Sequence, residues 1–250
     1  MAANLAPALE QNGLVVKLVY GRSIKSANGI ANNLYQAGAT DSLDFSNCKG
    51  GVFIIAVTDD AIEEISRELI LPENAIVLHT SGSKGINILG YAASPNIGVI
   101  YPLQTFSKNK RTKFDTVPLL VEGDNKYTEK VVYALAVKLS KNVIITTSSE
   151  RRKIHLAAIF VANFTNSLFV QARQIMNSAD SDWTLLAPLI EETIKKSLAL
   201  GPENAQTGPA ARADLEVLDE HLQMLEEFPD LKETYQLISQ QILKRSEDDQ

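Results

Sequence analysis

Residues 52–69 read Val52-Phe-Ile-Ile-Ala-Val-Thr58-Asp59-Asp60-Ala-Ile62-Glu-Glu-Ile-Ser-Arg-Glu-Leu69, an apolar run, two acids, then apolar positions three and four apart. The run has the composition of a strand buried on both faces, Asp59 or Asp60 is expected as the N-cap, and the spacing beyond them is helical. A strand leading through a cap into a helix is the repeating half of a parallel sheet covered on its faces by helices. The same pattern recurs on both sides. Strand candidates are 14–20, 75–80, 97–101, 117–121 and 143–147, and helix candidates are 23–36, 60–69 and 128–140, with Ser23 and Asp124 or Asn125 as further caps. The fold class expected from this alternation is α/β, with a doubly wound parallel sheet.

After Thr147 the strand signal stops, and the remainder reads as helix with breaks near 180–182, 200–208 and 228–230. Thr147 and Glu150 have capping-box spacing and open a helix expected to run through His155, Asn163 and Asn166 to about Asn177. The chain therefore divides into 1–148, a dinucleotide-type α/β domain, and 149–250, an all-helical domain. No Gly, Ser or Pro linker separates them, so a shared cleft is expected. The polar tail Ser246–Gln250 is expected to be disordered.

With 250 residues, 45% hydrophobic and 22% charged, the chain can bury a large core without staples. Lys and Arg total 24 against 30 acids, a net charge of -6, so there is no basic field to attract nucleic acid. A single cysteine, Cys48, excludes an internal disulfide and has no positive cluster beside it to activate a thiol. The three histidines, His79, His155 and His221, lack metal-ligand spacing, so no metal is expected, and His221 lies in a charged stretch that suggests solvent exposure. No run of 18 apolar residues suggests a membrane span, and the N-terminus carries no export signal, so a cytoplasmic location is expected.

At the front, Met1–Glu10 reads as a helix stopped at Asn12-Gly13, and 14–20 then reads as the second strand of a doubly wound fold. Gly21, Arg22 and Ser23 follow at its carboxyl end, where an acidic residue would bind the ribose of NAD. A guanidinium and a hydroxyl there suit the 2′-phosphate of NADP instead. The alternative is a surface arginine beside a helix start.

Three further groups carry chemistry. At 100° per residue His155, Ile159, Ala162, Asn163 and Asn166 share one helix face, so that His155, Asn163 and Asn166 either face a substrate or pair with neighbouring helices. His79 and Ser81 follow a strand, at the edge where open sheets bind ligands, or else they form a capping turn; Gln104 beyond Tyr101-Pro102 is a substrate contact or a turn-holding amide. Gln206-Thr207-Gly208-Pro209 is a turn with Thr207 available as a cap, and its exposed amides could hold an anion.

These segments together resemble a known group. Thr58-Asp59-Asp60-Ala61-Ile62, His79-Thr80-Ser81-Gly82-Ser83, Tyr101-Pro102-Leu103-Gln104-Thr105-Phe106, His155 to Asn166, and Ala205-Gln206-Thr207-Gly208-Pro209 with Arg212 and Asp214 are similar to bacterial Rossmann-like proteins with a C-terminal helical domain of unknown function. That group is related to deazaflavin-dependent NADP reductases and pyrroline-5-carboxylate reductases. The resemblance implies an NADP-dependent oxidoreductase acting on a small carbonyl or imine in the interdomain cleft. Arg22 and Ser23 would then hold the 2′-phosphate beside Gly21. Thr58, Asp59, Asp60, His79 and Ser81 would line the nicotinamide half, and His155 or Asn163 would position or protonate the substrate. Gln104, Asn166, Gln206, Thr207 and Gly208 would bind it, while Arg212 and Asp214 brace the loop. A homodimer through the helical domain is also expected. The family pattern places a first strand and a Gly-x-Gly-Asn turn ahead of Met1, so a longer product is expected. The other readings are a non-catalytic dinucleotide-binding sensor or assembly module, and a fragment that binds no cofactor.

Overall fold

The fold is given by a computed structural model that describes residues 1–49, 51–106 and 112–248. The chain divides into two compact units, Met1–Phe164 and Thr165–Gln250. The first unit extends beyond residue 148 because helix α5, Ser148–Ile159, is tied to the sheet by Arg151 and Ile154.

The first unit opens with α1 (Ala2–Gln11), ended by Gly13 at φ +75°, a conformation that favours glycine. Strands β1 (Leu18–Tyr20) and β2 (Gly38–Thr40) pair in parallel around α2 (Ile24–Ala31), which Ser23 caps with a reciprocal bond to Ser26. The sequence expects a seven-residue strand from residue 14, but its partner offers only three residues, and Val15 is left 75% exposed. A separate five-stranded sheet follows in the order β3 (Val52–Ile55), β4 (Ile76–His79), β5 (Asn96–Pro102), β6 (Leu119–Gly123), β7 (Val143–Ile145).

Four of the sheet's characteristics position the site. β3, β4 and β5 run parallel, so their carboxyl ends share one edge. β6 runs antiparallel to β5, which corrects the all-parallel expectation. Among the described residues no helix carries the chain across a face between them, and without a crossover the returning strand runs the other way. Alternation then sorts the side chains. Ile76, Leu78, Ile100, Leu119 and Val121 face α1 and α4 (Lys126–Leu139, capped by Asn125), while Val77 faces α3 (Ile62–Glu68) and Val99, Tyr101 and Leu120 face Ile154 of α5. Both faces are therefore covered, as a doubly wound sheet requires. Cys48 is half-buried against the α3 side.

A π-helical turn, Phe160–Phe164, follows α5 and ends the first unit. The second unit is all helical: α6 (Thr165–Ser178), α7 (Ala187–Leu200), α8 (Pro202–Ala205), α9 (Leu215–Met224) and α10 (Pro229–Asp248). Its inner side chains include Ala210, Leu218, Leu225 and Leu231. α10 continues through Ser246 to Asp248, where the sequence suggests a disordered tail; Asp249 and Gln250 lie outside the described residues. One helical stretch, Ser148–Ser178, is by length and composition apolar enough to cross a membrane, with a mean hydropathy of 1.3 over 18 residues. Its longest uninterrupted apolar run is the seven residues 156–162, and the residues that interrupt the pattern just beyond it, Asn163, Thr165, Asn166 and Ser167, are uncharged and keep the average high.

Candidate functional site

The loops after β3, β4 and β5 meet at the shared carboxyl edge. Thr58 and Asp60 are exposed there, and Asp59 is half-buried, its carboxylate accepting a short hydrogen bond from the Ser83 hydroxyl. His79 is fully buried: its Nδ1 accepts from the Ser81 backbone N–H at 3.1 Å. Burial, seconded by the Arg151 charge, lowers its pKa to about 4, so the ring is neutral with its proton on Nε2, which has no partner among the described residues. Ser81 is buried as well, its hydroxyl oxygen accepting from the backbone N–H of Ser83 (3.2 Å) and Lys84 (3.0 Å). His79 and Ser81 therefore build the turn, and neither presents a side chain at the surface.

Under this turn lies a contact that the sequence does not show. The Tyr101 hydroxyl and His155 Nδ1 are 2.9 Å apart, with the rings edge-on at a centroid distance of 5.7 Å. A Cβ at Gly82 would stand 2.6 Å from that Nδ1 and 2.7 Å from Tyr101 Cζ, so only glycine leaves room for the pair. His155 is fixed from one turn earlier. Arg151, with no exposed surface, forms an ion pair with Glu122 of β6 and donates to the Lys84 carbonyl (2.7 Å) and Ser148 hydroxyl (3.3 Å). Glu122 also accepts from the Ser148 backbone N–H at 2.9 Å. At the head of α5, Thr147 and Glu150 complete the expected capping box. Burial, with Asp59 nearby, raises the Tyr101 pKa above its usual value, so its hydroxyl keeps its proton at neutral pH.

Tyr101 and His155 line a cavity of about 440 Å³ with Gln104, Asn163 and apolar side chains of α5, among them Ile154, Ala158 and Ile159. Such a space, apolar with a few convergent polar groups, suits a small organic molecule. Gln104 has its side-chain oxygen held by the Thr105 backbone N–H at 2.8 Å. Asn166 does not line the cavity: the π turn widens the helix, and counting 100° per residue fails across it. Asn166 belongs to the second unit, as do Gln206, Thr207 and Gly208.

In that unit the Gln206 amide donates to the Thr207 carbonyl at 2.9 Å and Gly208 adopts φ +106°. Thr207 makes no cap, and the helix it was expected to start is a three-residue 3₁₀ turn, Ala210–Arg212, too short to build an anion-binding dipole. Asp214 instead caps α9. Thr207 lines a second cavity, of about 360 Å³, in which His221 Nδ1 lies 2.8 Å from the Tyr235 hydroxyl. His221 is thus half-buried and paired rather than solvent-exposed, because the charged residues around it occupy the opposite side of α9.

At the end of β1, Gly21 is required by packing, since a Cβ would come within 2.5 Å of Ser26 Oγ and 2.8 Å of the Ala27 nitrogen. Arg22 is exposed and makes no ion pair among the described residues, and Ser23 is exposed beside it at the N-terminus of α2. The Ser23 hydroxyl is engaged with Ser26 in the capping box, so a free guanidinium and the first amides of α2 are the donors that would meet a phosphate monoester there, with the hydroxyl turning to join them. Among the described residues no three His, Cys, Asp or Glu converge as a metal site would require.

Comparison with known proteins gives the chain its relatives. Residues 117–242 match the Domain of unknown function (DUF2520). A crystal structure of a candidate NADP oxidoreductase from Bacteroides fragilis is 33% identical, with a TM-score of 0.86 over 97% of this chain and 93% of that one. A Thermotoga maritima protein (22% identity, TM-score 0.76, 100% and 97% covered) shares the fold. So does an imine reductase from Myxococcus stipitatus in complex with NADP⁺ (15% identity, TM-score 0.63, 98% and 89% covered). No curated protein sequence matches. The doubly wound sheet, the helical second unit and the match over 117–242 together make this chain a member of the DUF2520 family of Rossmann-like proteins.

Proposed function

We propose that the protein is an NADP-dependent oxidoreductase that reduces a small carbonyl or imine compound, or runs the reverse oxidation. The observation that carries this reading is the cavity beside the carboxyl edge of the sheet, apolar except for Tyr101, Gln104, Thr105, His155 and Asn163. Hydride transfer needs a dry, shaped space with one or two proton-handling groups. NADPH, when bound, supplies the hydride. Arg22 and Ser23 would hold its 2′-phosphate, and Thr58, Asp59 and Asp60 would border the nicotinamide half from the loop after β3. His155 and Asn163 orient the substrate's polar atom, and the flanking alanines and isoleucines exclude water.

Calorimetric titration tests this directly. The full chain should bind NADPH more tightly than NADH, and Arg22→Ala should remove about 1.5–3 kcal/mol from NADPH affinity, a charge-assisted contact, with little effect on NADH. Equal losses for both would remove the 2′-phosphate assignment, and no binding of either would end the oxidoreductase reading.

The protein's partner is a second copy of itself, in a soluble, cytoplasmic assembly. Val161 (76% exposed), Val170, Leu189 and Leu198 (84%) are large apolar side chains left bare on the helices. Apolar area on this scale is characteristic of an interface. Lipid is a poorer cover for Ser148–Ser178, because His155, Asn163 and Asn166 would lie in hydrocarbon.

A further inference from the structure

The geometry points to Tyr101 as the acid of the proposed reduction: we propose that its hydroxyl gives the substrate its proton and that His155, behind it, restores that proton. This assignment rests on the reductase reading above. Three elements independently converge on the pair. Tyr101 is the penultimate residue of β5, the loop after β4 passes so closely that Gly82 leaves no room for a methyl group, and α5 carries His155 one turn beyond the buried Arg151 anchor. The contact is 2.9 Å, and His155 Nδ1 is the only partner the Tyr101 hydroxyl has among the described residues. A phenol oxygen can accept from Nδ1–H and still point its own hydrogen elsewhere, and both residues border the same cavity. The other polar groups there are the amides of Asn163 and Gln104, which neither gain nor lose protons at neutral pH, and the Thr105 hydroxyl, which donates to the Gln104 side-chain oxygen at 3.3 Å and has no base beside it among the described residues to exchange its proton.

The step balances as follows. A C–H bond forms at the carbonyl or imine carbon from the delivered hydride, and the π pair of the C=O or C=N bond moves to the heteroatom. That atom forms a bond to hydrogen as the Tyr101 O–H bond breaks. The phenolate, hydrogen-bonded by Nδ1–H, then takes that proton while Nε2 of His155 gains one from solvent. Exchange with solvent returns the ring to its starting tautomer.

The tautomer is the test, because neutral imidazole in water prefers the proton on Nε2, whereas this assignment requires it on Nδ1. The full chain has three histidines, so nitrogen-15 spectra of the labelled protein resolve His155, identified by its loss in His155→Gln. The expected result is neutral His155 as the Nδ1–H form, reverting to Nε2–H in Tyr101→Phe. Gly82→Ala, which wedges the rings apart without removing either, should revert it too, and it covers the case in which Tyr101→Phe fails to fold. With NADPH and the cyclic imine 1-pyrroline as probe, Tyr101→Phe should lower kcat by about 10²–10⁴-fold and leave KM within a few-fold. A wild-type His155 in the Nε2–H form overturns the assignment, since the tyrosine proton is then committed to the ring; undiminished turnover by Tyr101→Phe overturns it as well. The tautomer is read without cofactor. Its failure is therefore separate from a failure to bind NADPH, which would sink the reductase reading instead.

Discussion

Replacing Glu122 by Leu would remove the only carboxylate that, among the described residues, meets the fully buried Arg151 guanidinium. Two neutral acceptors would remain, the Lys84 carbonyl at 2.7 Å and the Ser148 hydroxyl at 3.3 Å. The Ser148 backbone N–H, held by Glu122 at 2.9 Å, would lose its acceptor as well. Breaking one side of a buried ion pair costs about 3–5 kcal/mol, because the surviving charge stays desolvated. For a protein of this size each kcal/mol moves Tm by about 2–4 °C, so the variant should melt about 6–20 °C below wild type. Urea unfolding followed by circular dichroism gives the free energy. Glu122→Gln keeps an acceptor and should lose less, and Arg151→Met with Glu122→Leu should lose less than the two single changes combined, since no bare charge remains. The site should follow the scaffold: with α5 loosened one turn before His155, the Tyr101 contact should weaken in Glu122→Leu. A loss below about 1 kcal/mol would refute the reasoning, placing this pair with exposed ion pairs in which water already solvates both partners.

Other outcomes follow from single features. The folded state holds His79 neutral down to about pH 4, whereas the unfolded chain protonates it near 6.5; the unfolded state therefore binds the extra proton, and stability falls as pH drops from about 6.5 to 4, by up to about 3 kcal/mol. Unfolding curves across that range should show the slope in wild type and lose it in His79→Asn. Thr147→Ala breaks the capping box of α5 and should cost about 1 kcal/mol in the same assay, with no loss signifying that water replaces the cap. Light scattering should give twice the 27.3 kDa chain mass for wild type, and Val161→Asp with Leu198→Asp should shift it toward one chain; a wild-type monomer would remove the self-association proposal.

What the sequence discloses is what one segment can encode alone. The apolar runs of β4 and β5 and the caps at Ser23, Asn125 and Thr147 are local, and each stands where the pattern places it. β2 escapes notice because Gly38-Ala-Thr40 is short and carries one β-branched residue, and no periodicity reports that β6 runs against β5. The site escapes for a stronger reason. Its two decisive pairs join residues 29 apart, Glu122 and Arg151, and 54 apart, Tyr101 and His155, and neither spacing has a sequence signature. Tyr101 and Gly82 stand inside the segments that carry the family resemblance, yet a tyrosine at a strand end and a glycine in a serine-rich turn each have an ordinary local explanation. Only the approach of Gly82 to both rings gives them one purpose. His79 shows the converse: it occupies the edge where a ligand contact is expected, and its burial turns it into part of the loop that makes room for His155. A substitution at His79 should therefore disturb Gly82 and the Tyr101–His155 contact before it disturbs any ligand. Exchange of His79 for Asn, which can still accept from the Ser81 backbone, should be milder than exchange for Leu, which cannot.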